Sequence, residues 1–108
     1  MRHQWATAAS TWGATVLLKA RALCDEVGEP EEFLVLDDGF GPDGMILHGD
    51  RFYAAGSVGD RIAVISLDGE LIEMIETGEG TDPTNLCAHD GRLWVTLGFA
   101  GALVSTPL

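Results

Sequence analysis

The chain has 108 residues, with six Lys and Arg against 17 Asp and Glu and a net charge of −11, so it is expected to form one domain with one modest core. Such acidity repels polyanions, which argues against nucleic acid and anionic membrane surfaces as partners. Apolar residues make up 46% of the chain, which excludes a disordered polymer, and no run approaches the ~20 apolar residues of a membrane span.

The 14 glycines separate short apolar runs, a texture that suits strands and tight turns better than a helical bundle. Cys24 and Cys87 lie far apart and show neither a disulfide framework nor a zinc spacing. Cys87 sits in an apolar run and is expected to be a buried thiol. Residues 1–22 superficially resemble a signal peptide, but Lys19 and Arg21 fall where such a segment should be uncharged. The expected compartment is therefore the cytoplasm.

In chain order, residues 1–13 receive no assignment. Trp5, Ala9, Trp12 and Val16 keep a helical spacing, and a degraded strand is an equal reading. Residues 14–36 form a partial unit, with strands expected at Ala14 to Ala22 and Phe33 to Leu36. Residues 37–77 contain a full unit: Met45 to Leu47, Phe52 to Ala55, Arg61 to Ser66, and Leu71 to Glu76 after the Asp68-Gly69 hairpin signal. Ile62 and Val64 point one way and Ala63 and Ile65 the other, so this sheet is apolar on both faces. Residues 78–108 hold a final unit that stops after its third strand, Ala102 to Ser105.

Shifting the chain by 41 positions aligns residues 42–64 with 83–105 without a gap. Pro42 meets Pro83, His48 meets His89, Arg51 meets Arg92, and Tyr53 meets Trp94. A period near 40 with four strands per unit is the mark of propeller blades. The fold expected is all-β: about two and a half four-stranded antiparallel blades of a six-bladed parent. Blades cover their faces with neighbours, so Ile62, Val64, Leu103 and Val104 are expected to be partly uncovered and to drive self-association.

Gly39 to Gly44 matches G-x-G-x-x-G, but Met45 to Leu47 runs into a turn at His48-Gly49-Asp50 and leaves no length for the phosphate-binding helix. A calcium loop beginning at Asp37 would need a carboxylate where His48 stands. His48 and His89 fall in equivalent turns and are expected to be exposed. No nucleophile elbow or acid–base pair is visible. Asp43 lies just before the innermost strand of the full blade. Local chemistry leaves it equally a turn cap after Pro42 and a channel-facing carboxylate.

The segments Gly41-Pro42-Asp43-Gly44-Met45, Gly49 to Ala55, Arg61 to Ile65, Pro83-Thr84-Asn85-Leu86 and Leu93 to Thr96 resemble the later blades of the gluconolactonase/regucalcin (senescence marker protein) family over residues 14–108. The resemblance implies a fragment of a calcium- or zinc-dependent lactone hydrolase. Asp43 would be a metal ligand and general base, and Asn85, equivalent to Gly44 in the repeat, would face the substrate. The remaining ligands of that family come from blades outside this stretch, so the metal site here would be incomplete and the isolated chain inactive. The rival readings are a non-catalytic NHL-like scaffold and a truncated, inactive product.

Overall fold

The computed structural model describes the backbone of residues 2–11, 14–23, 26–27, 31–36 and 39–108, with side chains for 33–36 and 39–108. Among these residues there is no helix. The strands are β1 (Arg2–Thr11), β2 (Ala14–Leu23), β3 (Glu26–Val27), β4 (Glu31–Leu36), β5 (Pro42–His48), β6 (Arg51–Gly56), β7 (Arg61–Ser66), β8 (Leu71–Glu76), β9 (Pro83–His89), β10 (Arg92–Leu97) and β11 (Ala102–Pro107). They form three antiparallel sheets.

In the first sheet β2 pairs with β1 on one side, and with both β4 and the short β3 on the other. The stretch left unassigned from sequence thus contains a strand, and the helical spacing of Trp5 and Ala9 does not win. Pairing with β2 along all ten residues of β1 outweighs it. Trp12, Asp37 and Asp38 lie outside the described residues.

The second sheet is a plain meander, β5-β6-β7-β8, and the third is β9-β10-β11. The Asp68-Gly69 turn joins β7 to β8 as its residues demand, with Gly69 at φ 88°. Strand β5 starts earlier than the apolar run alone suggests, so Asp43 lies within the strand rather than just before it.

The second sheet is covered on both faces, and its pleat sorts its side chains. Phe52, Ala54, Ala63 and Ile65 pack with Leu36 and Phe40, with Phe33 and Leu34 of β4 against them. Tyr53, Ala55, Ile62 and Val64 pack from the other face against Leu86, Leu93, Val95 and Leu97 of the third sheet. The period of two sends alternate residues to opposite faces, and both sets are apolar because each meets another sheet. Phe33 and Phe52 meet edge to face across the first interface, centroids 5.6 Å apart.

Two expectations about burial are corrected. Ile62 and Val64 are each only 1% exposed, because the third sheet covers them. Leu103 and Val104, at 63% and 41%, are the exposed ones. Cys87 is a free, exposed cysteine. Its neighbour Leu86 takes the core side of β9, and the alternation turns Cys87 outward. His48 and His89 are exposed, as expected of turn-flanking residues.

Candidate inner-strand site

The second and third sheets approach each other most closely through their first strands, with β9 against both β5 and β6. That wedge makes β5 and β9 the inner strands, and Asp43 and Asn85 lie near their beginnings.

Both strands break their ladder at the same place. On β5 the register jumps between Pro42, opposite Gly56, and Met45, opposite Ala54. On β9 it jumps between Pro83, opposite Leu97, and Asn85, opposite Thr96. Such bulges re-aim side chains and are frequent beside functional sites. Asp43 and Gly44 occupy the first bulge, and Asp43 is exposed.

Gly44 explains how close the strands come. A Cβ placed there would stand 2.8 Å from the Thr84 carbonyl oxygen and 2.9 Å from Asn85 Cα, and would also collide with Asn85 Oδ1. Only a residue without a side chain allows this approach. The repeat equivalents Gly44 and Asn85 are therefore spatial neighbours, which brings Asp43 and Asn85 to adjacent inner strands.

Asn85 is held by its surroundings. Its Oδ1 accepts from the Leu86 N–H at 2.9 Å, and its own N–H donates to Thr96 Oγ1 at 3.1 Å. The Thr96 hydroxyl also lies 2.9 Å from the Thr84 hydroxyl. With Oδ1 engaged, the amide NH2 is the part of Asn85 that can donate to a ligand. A shallow concavity of about 170 Å³ runs from Asn85 past Cys87, Trp94 and Leu103. It lies on the face of the third sheet turned away from the second.

A second carboxylate organises this end of the molecule. Asp60, in the β6–β7 loop, accepts from the Gly80 N–H at 2.8 Å and the Asp82 N–H at 2.9 Å. These bonds, that from Asp82 foremost, hold its carboxyl below the usual range. Gly78, Gly80 and Asp82 all have positive φ, so their loop forms an amide-lined concavity suited to an anion. The carboxylate of Asp60 fills it and anchors the run into β9. From the sequence alone Asp60 reads as an ordinary residue of the loop between Ala55 and Arg61. The available signal was the alternation of residues that tolerate positive φ across Gly78-Glu79-Gly80-Thr81-Asp82.

Metal ligation by Asp43 can be set against these positions. Among the described residues no group of three His, Cys, Asp or Glu side chains gathers as a metal would need. These residues alone do not fit a calcium or zinc ion.

No protein-family model matches the sequence, and no curated protein matches it either. Solved structures do. Virginiamycin B lyase from Staphylococcus aureus superposes with a TM-score of 0.63 at 18% identity, covering 88% of this chain and 38% of that one. A streptogramin B lyase gives 0.62 at 20% identity, covering 92% and 38%. The catalytically inactive H270A form of the Staphylococcus aureus enzyme with quinupristin gives 0.61 at 17% identity, covering 88% and 38%. The fold is that of a β-propeller segment. At these identities the likeness concerns fold alone. The chain spans under two-fifths of these neighbours, and 38% of a six-bladed ring is a little over two blades. The propeller expected from the 41-residue period is thus found. The narrower likeness to gluconolactonases has no counterpart among these structures.

Proposed function

We propose that these blades belong to a propeller enzyme that opens a sugar lactone or similar ester by hydrolysis, with Asp43 as general base and Asn85 as a substrate contact. The observation that supports this most is the pairing of the two bulged inner strands across Gly44, which sets a free carboxylate and a donor amide on neighbouring strands. Asp43 would take a proton from water as its oxygen bonds to the ester carbonyl carbon. Collapse of the adduct would break the ring C–O bond, and the departing alkoxide would recover that proton. Asn85 would donate from its amide NH2 to a hydroxyl of the sugar. The described residues do not fit a metal by themselves, so no step here runs through one; calcium or zinc would need ligands from other blades.

The structural neighbours favour a second reading, since all three are named as lyases. There the same carboxylate would remove a proton from carbon rather than from water, and the C–O bond would break to leave an alkene and an acid.

The test is ring opening of a lactone panel by the closed propeller that contains these blades, wild type against Asp43→Asn, in ¹⁸O-labelled water. The reading expects ¹⁸O in the acid product and a loss of about 10²-fold or more in the variant. An unlabelled, unsaturated product would establish the lyase. An unchanged rate in Asp43→Asn would remove Asp43 from the chemistry, and no turnover of any lactone by the wild type would favour the scaffold.

A further inference from the structure

The segment that leads from the second sheet into the third is fastened by one residue. Asp60 belongs to the loop between β6 and β7, and its carboxylate accepts from the Gly80 N–H at 2.8 Å and the Asp82 N–H at 2.9 Å. Its own backbone carbonyl accepts from the Thr77 N–H at 3.0 Å, so one residue of the second blade holds both ends of residues 77–82. Between those ends the segment is a closed turn. The Thr77 and Thr81 hydroxyls lie 2.7 Å apart, and the Thr81 hydroxyl donates to the Gly78 carbonyl at 2.7 Å. From Asp82 the hold runs straight into the inner-strand site. The Asp82 carbonyl accepts from the Gly98 N–H, just past β10, at 2.7 Å. Pro83 is fully buried, and Thr84 and Asn85 are both hydrogen-bonded to Thr96.

The backbone alone does not ask for an aspartate at position 60. Its φ is 54°, a left-handed value that glycine adopts freely and other residues adopt at a cost. The 41-residue shift carries Asp60 onto Gly101, at φ 63°, where the same bend is made without a side chain. What the carboxylate adds is two charge-assisted bonds that reach from one blade to the entry of the next. We propose that Asp60 is a positioning residue of the inner-strand site: it fixes the start of β9 against the second sheet and so sets the Asn85 amide beside Asp43. The role of Asn85 in this rests on the lactone-opening reading, whereas its placement does not. Asp60 touches no substrate. It acts through Asp82, Pro83 and Thr84, which deliver Asn85 to the place where Gly44 leaves room for it. Asn85 binds the sugar and moves no proton, so loss of the clasp weakens substrate binding and spares the chemical step.

The experiment has two arms. In the full chain, Asp60→Gly removes the carboxylate and suits the positive φ, while Asp60→Asn keeps a single acceptor oxygen. Nuclear Overhauser contacts between Gly44 and Asn85 should be lost in Asp60→Gly and weakened in Asp60→Asn. Contacts between Met45 and Ala54 should persist in both, which shows that the second sheet is intact. A Gly44–Asn85 contact that survives Asp60→Gly overturns the proposal. In the closed propeller, Asp60→Gly should raise KM for the lactone about three- to tenfold and leave kcat within about twofold. In an Asn85→Ala background it should change neither, because the two residues act as one unit. A fall in kcat of equal size in both backgrounds, with KM unchanged, marks a merely structural role and also overturns the proposal. A wild type that opens no lactone removes the lactone reading, and the cross-peaks then decide the role of Asp60 by themselves.

Discussion

Gly41 and Asp82 stand 41 residues apart and share one backbone state, with φ 60° at the first and 55° at the second. Each carbonyl accepts an N–H from the residue directly after the second strand of its blade, Ser57 after β6 at 2.8 Å and Gly98 after β10 at 2.7 Å. The same shift relates Gly39 to Gly80 (76° and 75°), Gly49 to Asp90 (62° and 56°) and Asp60 to Gly101 (54° and 63°). A left-handed position costs an ordinary residue about 1–2 kcal/mol. Four of them recurring at one spacing mark a single blade template used twice.

The template tolerates side chains unequally. A Cβ on Gly41 would lie 2.6 Å from Val58 Cγ2 and 2.8 Å from Val58 Cβ, whereas Asp82 already carries a side chain. Gly41→Ala should destabilise the chain by about 1–3 kcal/mol, and Asp82→Gly should change stability by no more than about 0.5 kcal/mol. Urea denaturation midpoints check both.

Asp60 should make the β9 end of the molecule sensitive to acid. Its folded-state pKa is lowered by the N–H groups of Asp82 and Gly80. Its contribution is therefore complete above the ordinary carboxylate range and is lost as pH falls through the lowered value. Asparagine tolerates positive φ, so Asp60→Asn keeps the backbone and removes the charge. The variant should be less stable than wild type at pH 7, with the gap closing as pH falls below 4. A gap that does not change with pH would show that the charge is not what holds the loop.

The pleat of the third sheet yields a paired test. Leu93 is fully buried against the second sheet, and Leu103 points away from it at 63% exposure. Leu93→Ala should cost about 2–5 kcal/mol, and Leu103→Ser less than about 0.5 kcal/mol. Thermal unfolding of the two variants side by side distinguishes this register from one shifted by a single residue, which would reverse the order.

The second blade was the most legible part of the sequence. Its strands alternate cleanly, Asp68-Gly69 marks a hairpin, and apolar residues on both faces require a sheet on each side. β1 was hidden because Arg2–Thr11 is polar and small, and only its pairing with β2 makes it a strand. Cys87 was misplaced because an apolar run does not reveal which of its residues faces the core. The site was half legible. Asp43 and Asn85 could be singled out, but their adjacency depends on Gly44 abutting Thr84 and Asn85, and Asp60 acts on a loop about 20 residues away. Contacts between blades leave no local pattern.

The metal reading carries its own expectation. With Asp43 the single candidate ligand this chain brings forward, calcium and zinc should each bind more weakly than about 10⁻⁴ M. Calorimetric titration measures this directly. A tight stoichiometric site abolished by Asp43→Ala would reveal ligands that the described residues do not bring together.

The meeting of the two inner strands is the claim on which the site depends, and an NMR cross-peak tests it most directly. A Cβ built on Gly44 falls 2.9 Å from Asn85 Cα, so the Gly44 Hα protons should show strong nuclear Overhauser contacts to Asn85. Those cross-peaks, together with the cross-strand contact of Met45 to Ala54 within the second sheet, are the expected result. Intact contacts within each sheet, with none between Gly44 and Asn85, would contradict it: the blades would then be formed but not joined at the inner strands.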